Sequence, residues 1–151
     1  MRGRRKAREV ALQVLYGLNF VDIDARDALD LFWGNFSAPQ SAKDFSTFLV
    51  EGTCAHKEEL DQLIAECSDN WSLGRMSRVD INILRMAVFE FLYCDDIPPK
   101  VTLNEAVDLG KTFGSENSGS FINGILDALN LKLNKDHATQ HLDRKSRSSK
   151  T

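Results

Sequence analysis

The stretch RVDINILRMAVFEFLY, residues 78–93, decides the fold. Val79, Ile81, Ile83, Leu84, Ala87, Val88, Phe91 and Leu92 do not fall on a single stripe of a helix. They cover more than one face, and a helix that is apolar on several sides is packed on several sides. This segment is therefore the predicted centre of the molecule. Ser77 followed by Asp80 marks its start, with a carboxylate in the first turn. DDIPPK, residues 95–100, ends it, because proline cannot continue a helix and pushes its predecessor toward extended geometry.

Downstream, VTLNEAVDLGKTFG, residues 101–114, reads as a helix opened by a capping box of Thr102 and Glu105. Val101 and Ala106 stand at staple positions, and Gly114 suits a left-handed C-terminal cap. A last helix is expected over Ser118–Lys132, with Phe121, Ile122, Ile125, Leu126 and Leu129 apolar. Upstream, Ala7, Val10, Ala11, Val14, Leu15 and Leu18 make one stripe of a helix from Arg4 to Asn19. A second helix is expected over Asp24–Asn35 with Ala28, Leu31 and Phe32 facing in, and a long third one over Ala42–Ser68 whose apolar face drifts. With no alternating segment of strand length and only three prolines and nine glycines, the fold class is all-α, a compact domain of about six to seven helices. Residues 1–133 read as one helical domain, and 134–151 as a polar, basic tail expected to be disordered.

At 151 residues the chain can bury a core without staples. No apolar run is long enough to span a membrane, and no secretory signal is expected. Cys54, Cys67 and Cys94 are odd in number and far apart, as in a reduced, cytoplasmic protein. Cys54 and His56 lack further partners for a metal, and His137 and His141 sit in the polar tail, so no metal or cofactor is expected.

The net charge of −3 conceals a segregation. Five of the 19 cations lie in residues 1–8 and six in residues 132–151, leaving eight against 20 acids between them. Within a Debye length of ~8 Å the local balance matters more than the total. Arg2, Arg4, Arg5, Lys6 and Arg8 crowd the start of the first helix, where the helix dipole disfavours cations. Glu9 can pair with Arg5 but offsets little of the cluster. Two readings follow. The tip is either a solvated basic end, or an anion site in which cations and helix N-terminus act together on phosphates. Single-stranded RNA also needs exposed rings. Tyr16, two turns beyond Arg8, and Phe121, after the small polar run GSENSGS at residues 114–120, are candidates for that role and equally for ordinary core positions. No P-loop, dinucleotide fingerprint, HExxH or nucleophile elbow is present, which argues against an enzyme.

Together GRRKAREVALQVLY (residues 3–16), RVDINILRMAVFEFLY and DIPPKVTLNEAVDLGKTFGSENSGSFINGILDAL (residues 96–129) resemble the NusB family of bacterial transcription antitermination factors, in order and spacing. The resemblance implies two packed helical subdomains. It also implies binding to boxA RNA jointly with the ribosomal protein NusE, and assembly with RNA polymerase and other Nus factors during ribosomal RNA synthesis. Carried over residue by residue, it places RNA contacts at Arg4, Arg5, Lys6, Arg8, Tyr16, Asn117, Ser118 and Phe121. Asp80 falls at a position near the RNA and partner surface. Ser120 departs from the family pattern, where lysine is common. The acidic body is expected to face the basic ribosomal protein. Monomer and homodimer both stay open. The competing readings are a helical protein–protein module with solubilising ends, and an accessory domain of an enzyme that modifies ribosomal RNA.

Overall fold

A computed structural model describes residues 3–35, 37–68 and 72–148, with side chains as far as residue 134. Arg2, residues 149–151 and the side chains from residue 135 on, those of His137 and His141 among them, lie outside the described residues, while the backbone of residues 134–148, expected to be disordered, is helical. The described residues form seven α-helices and no strand: α1 Gly3–Leu18, α2 Ala25–Asn35, α3 Gln40–Ala55, α4 Lys57–Glu66, α5 Arg78–Tyr93, α6 Pro99–Phe113 and α7 Ser118–Ser148. A short 3-10 turn at Leu73–Arg75 precedes α5.

Helix α5 is the axle. Ile81, Ile83, Leu84, Met86, Ala87, Val88 and Phe89 are all buried on it. Each large apolar side chain so enclosed contributes roughly 1.5–3 kcal/mol relative to exposure. Ser77 caps it, its hydroxyl oxygen accepting the Asp80 N–H at 3.0 Å. Helices α1, α2 and α3 pack as one group, and α4, α6 and α7 gather with α5 as the other. Helices α1 and α3 close the two groups by lying on α5. Gly52 of α3 permits that approach, since a Cβ there would stand 2.0 Å from the Phe89 ring. No helix among the described residues is long and apolar enough to cross a membrane.

Several local expectations are corrected. The long third helix is two helices broken at His56, whose φ of −109° and ψ of 17° leave the helical region. The break re-phases the chain so that Leu60 and Ile64 reach the core, which explains the drifting apolar face. In α2 the core residue is Leu29, while Leu31 is exposed. Helix α6 starts two residues before Val101, with Pro98 as cap and Pro99 in its first turn. Thr102 and Glu105 therefore form no capping box; each side chain goes to another helix. Gly114 ends α6 in an extended conformation (φ −95°, ψ −164°), not a left-handed one. Glycine is needed there for room, because a Cβ would lie 2.3 Å from the Ser118 hydroxyl. Helix α7 continues beyond Lys132 to Ser148, with no proline or glycine after Gly124 to interrupt it.

Candidate nucleic-acid interface

The cations that open α1 part company within two turns. Arg8 points inward. Its guanidinium is 4% exposed and grips both carboxylate oxygens of Glu90 on α5, Nη2 donating to Oε1 at 2.7 Å and Nε to Oε2 at 3.0 Å. Thr102 of α6 donates its hydroxyl to the same Oε1 at 3.2 Å. The Phe45 ring of α3 lies against this knot, its centroid 5.4 Å from the Arg8 guanidinium. Burial works against the charged form of Arg8, but the hydrogen bond and charge of Glu90 outweigh it and raise its pKa. A buried pair of this kind adds little over good apolar packing, yet loss of one partner strands a charge in the core.

Arg4, Arg5 and Lys6 point outward. Arg4 Nη2 meets Asp96 Oδ2 at 3.0 Å, and its guanidinium lies 5.0 Å from the Phe45 centroid. The hydrogen bond from Arg4 holds the Asp96 carboxyl below the usual carboxylate range. Arg5 reaches α6 with two bonds, Nε to Glu105 Oε2 at 3.2 Å and Nη2 to Asp108 Oδ2 at 2.6 Å. The hydrogen bond and charge of Glu105, with the charge of Asp108, raise the Arg5 pKa. Among the described residues Lys6 pairs with Glu9 alone, at 4.0 Å. Arg5 and Lys6 are 60% and 62% exposed, so their bridges are screened by solvent and open to exchange for another anion.

This corrects the sequence reading in two respects. The charge at the unfavourable end of α1 is answered by Glu90, Asp96, Glu105 and Asp108, so the cluster also fastens α1 to α5 and α6. Arg8 is also buried, although it lies against the same Phe45 ring as Arg4. The signal for its burial was Glu90, the lone charge in the apolar run Met86–Tyr93.

The remaining candidates lie further along. Arg8 of α1 pairs with Glu90 in the last turn of α5. Arg5 and Glu9 line a groove of about 320 Å³ opposite Glu105, Asp108 and Lys111. Lys111, which the sequence did not single out, lies in this groove with Arg5 and lays its stem along Gly119, where an added Cβ would be 3.0 Å from its Cγ. The groove leads toward the turn between α6 and α7. There Asn117 is exposed and its carbonyl receives the Phe121 N–H at 3.0 Å. Ser118 is buried, its hydroxyl oxygen accepting the Ser115 N–H at 2.9 Å, so it shapes the turn and is closed to a ligand. Phe121 is half-buried against the core. Ser120 is exposed and bonds back to the Asn117 carbonyl at 3.2 Å.

Tyr16 stands near the far end of α1, about 16 Å along the helix from Arg5, and is 40% exposed. Its ring contacts that of Phe20 at a centroid distance of 5.1 Å. Asp80 is buried in the first turn of α5, and its Oδ1 has no hydrogen-bond partner among the described residues. The arginine corner and Tyr16 are thus two separate stations on one helix.

Other chemistry has little footing among the described residues. No three His, Cys, Asp or Glu side chains gather as a metal site there. Burial, with Glu90 and Asp96 nearby, pushes the Cys94 thiol up to about 11, so it stays protonated at neutral pH and is a poor nucleophile.

Comparison with known proteins gives one family. Residues 5–130 match the NusB family. The chain is 58% identical over 142 residues to the transcription antitermination protein NusB of Syntrophus aciditrophicus, covering 94% of this chain and 88% of that one. Its structure is similar to T. maritima NusB, with a TM-score of 0.77, 36% identity, and 83% and 89% of the two chains covered. It is also similar to a solved complex of the antitermination factors NusB and NusE with dsRNA, with a TM-score of 0.76, 29% identity, and coverage of 85% and 96%.

Proposed function

The chain belongs to the NusB family of transcription antitermination proteins, and from that membership we propose that it grips boxA RNA jointly with NusE as a non-catalytic adaptor. The observation that carries this reading is the similarity to a NusB that is held with NusE and RNA. The described surface supports it with a division of labour. Arg4, Arg5 and Lys6 meet phosphates at the corner of α1, exchanging solvent-screened carboxylates for the strand. Arg8 holds the corner together through Glu90 and does not touch RNA. Lys111 carries positive charge along the groove toward Asn117 and Phe121, where the edge of the half-buried ring meets a base.

The acidic body, near −12 by formal count, suits a basic ribosomal protein. Residues 1–133 make up the binding unit, and the cations of 134–151 add unspecific attraction. RNA polymerase and other Nus factors join the pair in the cytoplasm, and a homodimer that covers the arginines would compete with RNA.

A gel shift tests this, using boxA and a scrambled control, with and without NusE, across a salt series. Three phosphates neutralised by Arg4, Arg5 and Lys6 give log K against log salt a slope of about −2 on a single strand. Preference for boxA with NusE present is the expected result. Equal, weak retention of both oligonucleotides under all conditions would refute the reading.

A further inference from the structure

We infer that the cavity where α1, α3, α4 and α5 meet is a binding site for a free amino acid with an apolar side chain. The site is separate from the arginine corner and does not depend on the RNA-binding reading. The cavity has a volume of about 360 Å³ and is closed on one side by the link between α1 and α2. Small-molecule sites span roughly 300–1,000 Å³ and combine an apolar lining with a few polar groups.

Both ingredients are present. Leu15 and Leu18 of α1, with Ile23 of the link, supply apolar surface. Helices α3 and α5 supply two buried polar side chains, Thr53 and Asn82, each 2% exposed. The Thr53 hydroxyl has no hydrogen-bond partner among the described residues. Two other hydroxyls of the same helix behave differently: Ser46 and Thr47 both donate to the Lys43 carbonyl at 2.9 Å. A buried hydroxyl left unpaired costs stability. Because it makes no bond back to α3, turning it about χ1 toward a ligand breaks none. Asn82 donates its side-chain N–H to the Arg78 carbonyl at 2.7 Å, which holds the amide in place and leaves its oxygen to accept.

The charges select the ligand. Arg85 lines the cavity, but its guanidinium is spent on Asp61, Nε donating to Oδ1 at 2.7 Å and Nη2 to Oδ2 at 3.1 Å. That leaves one cation, Lys57 at the start of α4, and one anion, Asp24 of the link. Both are exposed, and neither enters an ion pair among the described residues. One charge of each sign beside an apolar wall matches a zwitterion with an apolar side chain. Its carboxylate meets Lys57 and the Thr53 hydroxyl, its ammonium meets Asp24 and the Asn82 oxygen, and its side chain covers Leu15, Leu18 and Ile23. A plain carboxylate or phosphate would face Asp24 as a like charge, and a plain amine would face Lys57 in the same way.

Isothermal titration calorimetry of the full chain with L-leucine, L-methionine and L-phenylalanine tests the inference. N-acetyl-L-leucine and L-leucinamide serve as analogues without the ammonium and without the carboxylate. Saturable binding of at least one amino acid, and of neither analogue, is the expected result. Lys57→Ala and Asp24→Asn each weaken it about 2- to 5-fold, as suits a solvent-screened charge pair. Thr53→Val keeps the shape of the side chain and removes the unpaired hydroxyl, so it weakens binding while the Tm of the free protein holds or rises. Cys54, exposed on the same cavity, gives a second readout. A bound amino acid slows its alkylation by iodoacetamide, followed by peptide mass mapping with Cys67 and Cys94 as internal references. Heats of dilution alone with all three amino acids would overturn the inference and leave the cavity to water. Equal binding of the blocked analogues, or binding and Cys54 protection that all three variants leave unchanged, would overturn it as well.

Discussion

The two ends of α1 solve opposite problems. At the amino end, three arginines each hold a carboxylate from α5, the α5–α6 link or α6, and one of them is buried. At the carboxyl end, Tyr16 and Phe20 are exposed and the neighbouring Arg78 pairs with no described acid. The first end is fastened, and any anion that binds there competes with its internal partners. The second is open, with exposed rings and no described acid paired to Arg78. Cationic residue count alone would rank the amino end far ahead, but the partners already in place narrow that lead.

The comparison breaks most sharply at Arg8. If it belongs to the fold, Arg8→Ala or Glu90→Ala destabilises by about 3–5 kcal/mol, because each leaves a buried charge without its partner. Urea unfolding followed by circular dichroism measures this. Arg8→Met combined with Glu90→Leu recovers most of the loss. A variant of normal stability that fails only in RNA binding would return Arg8 to the surface.

The scaffold between the two ends is the next target. Gly52→Ala drives a methyl group into the Phe89 ring at the α3–α5 contact. Overpacking of this type costs about 1–3 kcal/mol, read as a lowered Tm. Gly17→Ala, beside the open end where nothing lies within 4 Å of the added Cβ, leaves Tm nearly unchanged or raises it.

The smallest effect sharpens the picture of the fastened end. Asp96 has its folded pKa depressed by Arg4. Its contribution to stability is therefore fully present above the ordinary aspartate value of about 3.9 and is lost as pH falls through the lower, folded value. Carboxyl NMR titration should find Asp96 below the ordinary range in the intact protein and back within it in Arg4→Gln.

Much of this architecture is readable from the sequence because it is periodic. The stripe from Ala7 to Leu15 and the apolar wrap of residues 78–93 each report their surroundings, and Ser77 announces a helix start at short range. The ion pairs at the amino end are not local. Arg4 and Asp96, Arg5 and Glu105, and Arg8 and Glu90 are separated by 92, 100 and 82 positions, and no spacing rule spans such distances. Thr102 and Glu105 show how a local pattern misleads. They fit a capping box, yet Pro98 and Pro99 start the helix earlier and free both side chains for Glu90 and Arg5. The break at His56 has no proline or glycine to mark it. Tyr16 was recognisable as a candidate, but its neighbours Phe20 and Arg78 join it only once α1 and α5 are placed side by side.

The central claim is that the outward cations of α1, and not the buried one, meet the RNA backbone. The most direct test is the salt dependence of boxA binding, with NusE present, for the intact chain and for Arg5→Gln with Lys6→Gln. The account predicts that the double variant flattens the slope by about 1.4 while circular dichroism and the urea midpoint stay in place. An unaltered slope would contradict it.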